Sequence, residues 1–184
     1  MVFAHDTEES LLAAVALVNS AQPPETMTAV TELDAFYERF GYTGRHDRTR
    51  AELDEVRALR AELRVLLLSG RDEAVARVNA ILGEERAVPQ LIRHDPLDWH
   101  IHAVAAQAPL ATRIRVETAM AMIDVIRADE HGRLSICADD LCEGVVFDLS
   151  RNRSKRFCSV TCGNRNAVAA YRARQAATDQ VLRS

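Results

Sequence analysis

Four cysteines constrain this chain most, because all of them fall in one short C-terminal stretch. They form two close pairs, Cys137-x4-Cys142 and Cys158-x3-Cys162, joined by a fifteen-residue connector. Four thiols in two close pairs are typical of a structural zinc site, in which thiolates surround one ion tetrahedrally. Disulfides or inert buried thiols are the alternatives, and an intracellular setting disfavours disulfides. The pattern predicts one structural Zn²⁺ held by Cys137, Cys142, Cys158 and Cys162, with no open position for catalysis.

Charge is distributed unevenly along the chain. Residues 148–184 carry eight basic and two acidic side chains, a net charge of +6. Because the whole chain has a net charge of −4, residues 1–147 carry −10. Such asymmetry favours a polyanionic partner for the basic end.

The first 133 residues have mainly helical periodicity. Apolar residues recur at helical spacing in five segments bounded by capping, Pro or Gly signals, at about 7–19, 28–40, 49–69, 72–82 and 109–129. Two alternating segments, 88–93 and 97–104, flank the turn signal His94-Asp95-Pro96 and predict a small β-hairpin. Asn19, at the end of the first helix, is expected to serve as its C-terminal cap, and the alternative is that it lines a ligand pocket.

The C-terminal residues predict a treble-clef-like zinc finger. The first cysteine pair would sit on a tight knuckle, residues 145–147 and 156–157 would form a hairpin, and the second cysteine pair would open a helix. A module of about forty residues buries too little apolar surface to be stable alone, so we expect the metal to stabilise it and chelation to unfold it. The predicted fold class is mainly α, with a helical domain at 1–133 and a zinc finger at 134–184.

The residues around the second cysteine pair resemble a known family. The segment Phe147–Ser159, followed by Cys162-Gly163-Asn164-Arg165 and by Tyr171–Arg174, is similar to the CGNR zinc finger. Phe157 stands where that family usually has Trp.

In that family the finger follows a helical domain called ABATE. The N-terminal resemblance rests on Leu17-Val18-Asn19, on Val56–Arg60 and on overall length. The resemblance implies a bacterial protein that regulates transcription in response to stress.

We expect the polar and basic side chains of the finger to contact DNA. The candidates are Arg151, Arg153, Lys155, Arg156, Asn164, Arg165, Arg172 and Arg174. Cationic side chains would contact phosphates, while one or two side chains such as Asn164, Arg165 or Asn166 would read a base edge. Two alternatives remain open: the finger binds a protein, or the cations offset the −2 charge of a four-thiolate zinc site. Because one finger contacts little DNA, specific binding would favour a homodimer.

A second polar cluster lies on the predicted β-hairpin. It comprises His94, Asp95, Asp98, His100 and His102. His100 and His102 are two apart on a strand and face the same side. A metal bound there would suggest a hydrolase, whereas a solvated or partly buried polar face is the simpler interpretation. Trp99, on the opposite face, is expected in the core.

The remaining motifs point away from catalysis. No nucleophile motif, phosphate loop or dinucleotide glycine pattern occurs, so we expect a protein that is not an enzyme. No apolar run is long enough to span a membrane, and the N-terminus lacks the features of a secretory signal, so a cytoplasmic location and no membrane partner are expected. The sequence predicts a regulator whose finger binds DNA and whose N-terminal domain senses a small-molecule effector or dimerises. A protein-interaction module is the alternative.

Overall fold

The computed structural model describes residues 3–94 and 97–182, and its fold is mainly helical. The elements in chain order are α1 (His5–Asn19), α2 (Val30–Arg39), α3 (Arg50–Leu68), α4 (Arg71–Glu84), β1 (Gln90–His94), β2 (Leu97–His102), α5 (Leu110–Ala128), a 3₁₀ turn (His131–Arg133), β3 (Leu134–Ile136), β4 (Val145–Phe147) and α6 (Val160–Leu182). The predicted fold class is confirmed, with five helices before the cysteine-rich module. No helix among the described residues is long and apolar enough to cross a membrane.

Helix α5 is the centre of the N-terminal core. It packs against α1, α3 and α4, and its Leu110, Ile114, Met122 and Val125 are fully buried. The opposing face of α3 contributes the leucines that the periodicity predicted, including Leu63, which has no exposed surface. Burial of each such side chain contributes about 2 kcal/mol, so this interface accounts for much of the stability of the body.

Local signals in the sequence determine where α2 and α3 begin. The Thr49 side chain caps α3 by accepting a hydrogen bond from the Glu52 backbone N–H. At the start of α2, the Glu32 carboxylate accepts a hydrogen bond from the backbone N–H of Ala29 at 2.9 Å. Both contacts satisfy amide groups that a helix start leaves unpaired.

The β1–β2 hairpin presents an apolar face to solvent. Its antiparallel register pairs Leu91 with Ile101 and Ile92 with His100, while the predicted turn at Asp95 and Pro96 lies outside the described residues. The prediction that Trp99 belongs to the core is wrong, because its side chain is 63% exposed. Only one face of a two-stranded sheet can pack against the helical body. In this hairpin it is the face that carries His100, so the alternate residues point toward solvent.

Strands β3 and β4 join the cysteine-rich module to the helical core. They pair antiparallel, with Leu134 opposite Phe147 and Ile136 opposite Val145. The predicted hairpin between residues 145–147 and 156–157 is therefore wrong. The partner is β3 because Val145 and Phe147 face the main core, where Leu134 also lies. Segment 156–157 is attached differently, through the Arg156 carbonyl, which accepts a hydrogen bond from the Ala138 N–H at 2.9 Å.

The division into residues 1–133 and 134–184 stays a prediction, and apolar packing crosses it. The Phe3 ring stacks on the Phe147 ring with 6.2 Å between centroids. Leu134, Val145 and Phe147 share one core with α1, α3 and α5, while Val146 on the other face of β4 packs with the cysteines. Strand β4 therefore separates the two cores and contributes side chains to both.

Candidate metal centre

The four cysteine side chains converge on one point. Their Sγ atoms all lie within 4.8 Å of one another. The Sγ atoms of Cys142 and Cys158 are 3.5 Å apart, and those of Cys158 and Cys162 are 3.8 Å apart. Four sulfurs at about 2.3 Å from a tetrahedral Zn²⁺ are separated by about 3.8 Å, whereas a disulfide needs about 2 Å. The arrangement therefore fits a metal ion and not a disulfide.

The knuckle that carries the first cysteine pair is built by backbone hydrogen bonds. The Asp139 carbonyl accepts from the Cys142 N–H at 2.8 Å, and the Asp139 carboxylate accepts from the Leu141 N–H at 3.0 Å. The Gly144 N–H then points at the Cys142 sulfur, 3.4 Å away. A Cβ atom at Gly144 would lie 2.8 Å from the Cys158 sulfur, so only glycine fits there.

The second cysteine pair lies at the start of α6. Cys158 precedes the helix and directs its backbone N–H at the Cys137 sulfur, 3.4 Å away. Cys162 lies in the first turn, and its N–H donates to the Ser159 hydroxyl at 3.2 Å. The metal centre therefore joins the start of α6 to the knuckle.

The protonation behaviour of the thiols fits a cation-binding set. Burial raises the pKa of Cys158, and the neighbouring thiols raise it further. Burial also acts to raise the pKa of Cys137, but the backbone N–H groups of Cys158 and Asp139 outweigh it and lower that pKa. Four thiols this close together become four thiolates only around a positive charge, and tetrahedral thiolate sets favour Zn²⁺.

Several of the predicted DNA-contacting cations make contacts inside the protein. The Arg165 guanidinium pairs with the buried Asp139 carboxylate at 3.1 Å, and the Arg153 guanidinium pairs with Glu130 at 2.8 Å. The Lys155 ammonium donates to the Phe147 carbonyl at 3.1 Å. Arg165 and Lys155 therefore make contacts within the finger, and Arg153 joins the finger to the residues after α5.

The other candidates face solvent. Arg151, Asn164, Arg172 and Arg174 are exposed, and no ion pair joins any of them to another described residue. The Arg156 guanidinium is also exposed and lies 6.0 Å from the centroid of the neighbouring Phe157 ring. The structure therefore divides the predicted DNA-contacting residues into those that contact other parts of the protein and those whose side chains are exposed without an ion pair.

Three residues that organise the module were not among the predicted site residues. Asp139 supports the knuckle, and Asp148 accepts hydrogen bonds from the backbone N–H groups of Ser150 at 2.7 Å and Lys155 at 2.8 Å. The Asp148-x-Ser150 spacing is a local signal for such a turn. The third is Asn19, whose side-chain amide contacts Val145.

Asn19 attaches the finger to α1. Its Nδ2 donates to the Val145 carbonyl at 2.8 Å, and its Oδ1 accepts from the Val145 N–H at 2.6 Å. The prediction that Asn19 caps α1 is wrong, because Ser20 occupies the cap position. The Asn19 amide therefore makes the two backbone hydrogen bonds that a neighbouring strand would make to Val145. No sequence pattern indicates this contact, because the two residues are far apart in the chain.

His100 and His102 line a cavity in the N-terminal domain. The Nε2 atoms of His100 and His102 are 2.8 Å apart, and His102 Nδ1 is 3.7 Å from the Glu117 carboxylate. Asp95 and the side chains of His94 and Asp98 lie outside the described residues. In the part of the chain that the structure describes, only the cysteines form a group of three or more potential metal ligands.

Fold and site together define a helical protein with a C-terminal four-cysteine zinc finger. Residues 12–129 match the ABATE family, whose description is "Putative stress-induced transcription regulator", and residues 133–175 match the CGNR zinc finger. The chain therefore belongs to the ABATE family, as the resemblance predicted, with the finger C-terminal to the helical domain. A search of curated proteins finds no match to the chain.

Proposed function

We propose that this protein is a transcriptional regulator that binds DNA through its finger, while its N-terminal domain senses a small-molecule effector or dimerises. The observation that carries the proposal is α6, an exposed helix with free arginines that begins at the metal centre. Every described side chain from residue 167 to residue 176 is exposed.

The dimensions and surface of α6 suit a DNA groove. The helix has 23 residues and is about 34 Å long, and the major groove of B-DNA admits an α-helix. Arg172 and Arg174 provide free guanidinium groups for phosphates, and the surrounding alanines allow close approach of the helix backbone. A helix exposed on all sides gains little stability in water, because helices in proteins are stabilised mainly by packing against other elements. The exposed α6 is therefore consistent with a surface that packs against a binding partner.

The distribution of charge supports the same orientation. Residues 1–147 carry −10 and would be repelled by DNA, whereas residues 148–184 carry +6. Arg151, on the loop before the second cysteine pair, adds a free cation on the basic module. DNA would therefore meet residues 148–184, the basic part of the finger, and not the helical body.

In this proposal the finger binds one structural Zn²⁺ per chain through Cys137, Cys142, Cys158 and Cys162. Four thiolates close the tetrahedral shell and leave no position for a substrate or a reactive water. The metal would fix the first turn of α6 relative to the knuckle, and with it the direction of the arginines. We accordingly propose a regulatory protein and not an enzyme.

DNA binding can be tested by salt dependence. We expect the full-length, zinc-loaded protein to bind a random-sequence duplex in fluorescence anisotropy, with affinity that falls as salt rises. Changing Arg172 and Arg174 to Ala should reduce the slope of log affinity against log salt by about 0.9 for each lost phosphate contact.

The matched control is Arg127→Ala, which removes an exposed arginine from α5 in the acidic body. This control should leave the slope unchanged. Equal slopes for the wild type and for the double variant would contradict DNA binding by α6.

A protein partner is the second candidate, and one observation favours it. Val168 and Tyr171 on α6 are 48% and 56% exposed, and such side chains are common at protein interfaces. In that case Tyr171→Ala would abolish a saturable protein interaction, while the arginine variants would leave DNA affinity unchanged.

A further inference from the structure

A cavity of about 380 Å³ lies on the N-terminal domain, far along the chain from the cysteines. Its wall is formed by the first half of α1, the segment after α2, strand β2 and helix α5. Phe40, Tyr42 and Ala13 give the wall apolar and aromatic carbon. This volume falls in the range of sites for small organic ligands.

One carboxylate in the cavity wall is desolvated. The Glu117 side chain is 19% exposed, and burial raises its pKa to about 7 although the nearby Arg113 charge acts in the opposite direction. Its described ion-pair partner is His102, whose Nδ1 is 3.7 Å away, beyond hydrogen-bonding distance. The Glu117 carboxylate therefore lacks a close donor of its own in the described structure.

The adjacent Arg113 does not donate a hydrogen bond to the Glu117 carboxylate. The buried Arg113 guanidinium donates to the backbone carbonyls of Thr43, Arg45 and Ala108. Those hydrogen bonds hold the loop after α2 in place. Arg113 is thus committed to the backbone and contributes only its longer-range charge to Glu117.

Carboxylates also outnumber guanidinium groups around the cavity. Asp6, Glu9 and Glu38 line it together with Glu117. Besides Arg113 the lining arginine is Arg39, whose guanidinium lies 5.0 Å from the Phe40 ring centroid. An anionic ligand would be repelled here, whereas a cation would find both a carboxylate and aromatic rings.

We propose that this cavity binds a small organic amine, with its ammonium group on the Glu117 carboxylate and its carbon skeleton against Phe40 and Tyr42. The ammonium would supply the hydrogen-bond donors that the buried carboxylate lacks, and the aromatic wall would take the apolar part. The proposal rests on the ligand-sensing half of the proposed function and is independent of DNA binding.

The geometry favours an amine over a metal ion. The ring nitrogens of His100 and His102 point at each other, with 2.8 Å between the two Nε2 atoms. Glu117 approaches the opposite nitrogen of His102, so these three side chains do not converge on one point. An organic cation needs only the carboxylate and the apolar wall.

Calorimetric titration of the full-length, zinc-loaded protein at pH 8 tests the charge requirement. The probes share one ring and differ in one group: phenethylamine, 2-phenylethanol and phenylacetate. We expect saturable binding of phenethylamine and at least about tenfold weaker binding of the alcohol and the acid, since one charge-assisted hydrogen bond contributes that much. Equal affinities for the three probes, or no binding of the amine at millimolar concentration, would overturn the proposal.

Glu117→Gln tests the assignment of the carboxylate at nearly constant volume. It should weaken phenethylamine binding by about tenfold or more, while Glu73→Gln, the same change on exposed α4, should have no effect. Unchanged affinity in Glu117→Gln would refute the role of this residue.

If Glu117→Gln does not fold, the wild-type pH profile decides. Affinity should rise between pH 6 and pH 8 as the carboxyl ionises, because its pKa is about 7. The titratable and charged groups that line the cavity with Glu117 come from every element around it: His5, Asp6 and Glu9 on α1, Glu38 and Arg39 at the end of α2, Tyr42 after it, His100 and His102 on β2, and Arg113 on α5. A flat profile would contradict the proposal, and none of these measurements involves DNA.

Discussion

At the scale of single residues, the Asn19 side chain makes the hydrogen bonds to β4 that a neighbouring strand would otherwise make. Its side-chain amide pairs with both the N–H and the carbonyl of Val145, a residue with no exposed surface. An edge strand leaves such groups unpaired, and a buried unpaired amide group costs about 1 to 3 kcal/mol. One amide side chain therefore permits β4 to pack against a helix.

Asn19→Ala should lower the free energy of unfolding by about 2 kcal/mol, because it leaves two backbone groups of β4 unpaired. Urea denaturation of the zinc-loaded protein measures this loss. Asn79→Ala, on the exposed surface of α4, is the matched control and should have almost no effect. Equal losses in the two variants would show that the amide contact contributes nothing specific.

The ionisation of Glu117 in the cavity wall affects the free energy of unfolding. Burial raises its pKa from an ordinary 4.5 to about 7, so the folded state favours the protonated carboxyl. The stability that this group contributes is fully present below pH 4.5 and is lost as pH rises through about 7. The ionised form of Glu117 therefore opposes folding most in alkaline solution.

Glu117→Gln should consequently stabilise the protein more at pH 8 than at pH 5, with a difference of about 2 to 3 kcal/mol, because glutamine does not titrate. Urea denaturation of both proteins at the two pH values gives this difference directly. An identical effect of the substitution at both pH values would show that the carboxyl is not desolvated.

At the scale of elements, β4 and α6 depend on the metal to different degrees. Strand β4 buries Val145 and Phe147 in the main core, and only Val146 packs with the cysteines. Helix α6 is exposed from residue 167 to residue 176 and is attached through its first turn. The helix therefore relies on the metal centre far more than the strand does.

Removal of zinc by a strong chelator should release one equivalent per chain and loosen only part of the finger. We expect faster amide hydrogen exchange in residues 137–144 and in α6, because both are held by thiolate ligands. Strand β4 and helices α1–α5 should keep their protection, because their core does not include the metal. Loss of protection throughout α1–α5 would show that the two cores unfold as one.

At the scale of the whole molecule, α1 extends between the two candidate sites. Its first half lines the cavity, and Asn19 at its last turn binds β4 next to the metal centre. A second connection runs from α3, where the Arg64 guanidinium donates to the Glu143 carbonyl at 2.5 Å. These contacts give the proposed ligand site a continuous physical link to the proposed DNA-binding finger.

Local pattern accounts for much of what could be predicted. The cysteine spacing indicated a four-thiolate cluster, because two close pairs bring four ligands together in nearly any small fold. Helical periodicity located α1–α5, since burial on one side of a helix imposes its own spacing. The CGNR residues led to the correct family.

Other features depended on contacts that no local pattern encodes. The alternation on β2 was correct, but the choice between its two faces was not, and Trp99 is exposed. Residues 145–147 were correctly predicted as a strand but were paired with the wrong partner. The first error arises because period two defines two faces without saying which one meets the core. The second arises because the partner of a strand depends on which distant segment shares its core, and Leu134 shares the main core with Val145 and Phe147.

By itself, the sequence determined the ligands of the metal centre, the helical elements and the opposite charges of body and finger. Each of these depends on residues that are near one another in the chain. Only the tertiary structure decided that Arg165 pairs with Asp139, that Asn19 holds β4 and that Glu117 lines a cavity. Those contacts depend on how buried faces of distant elements are packed together, because packing determines which polar groups lose water and which partners they meet.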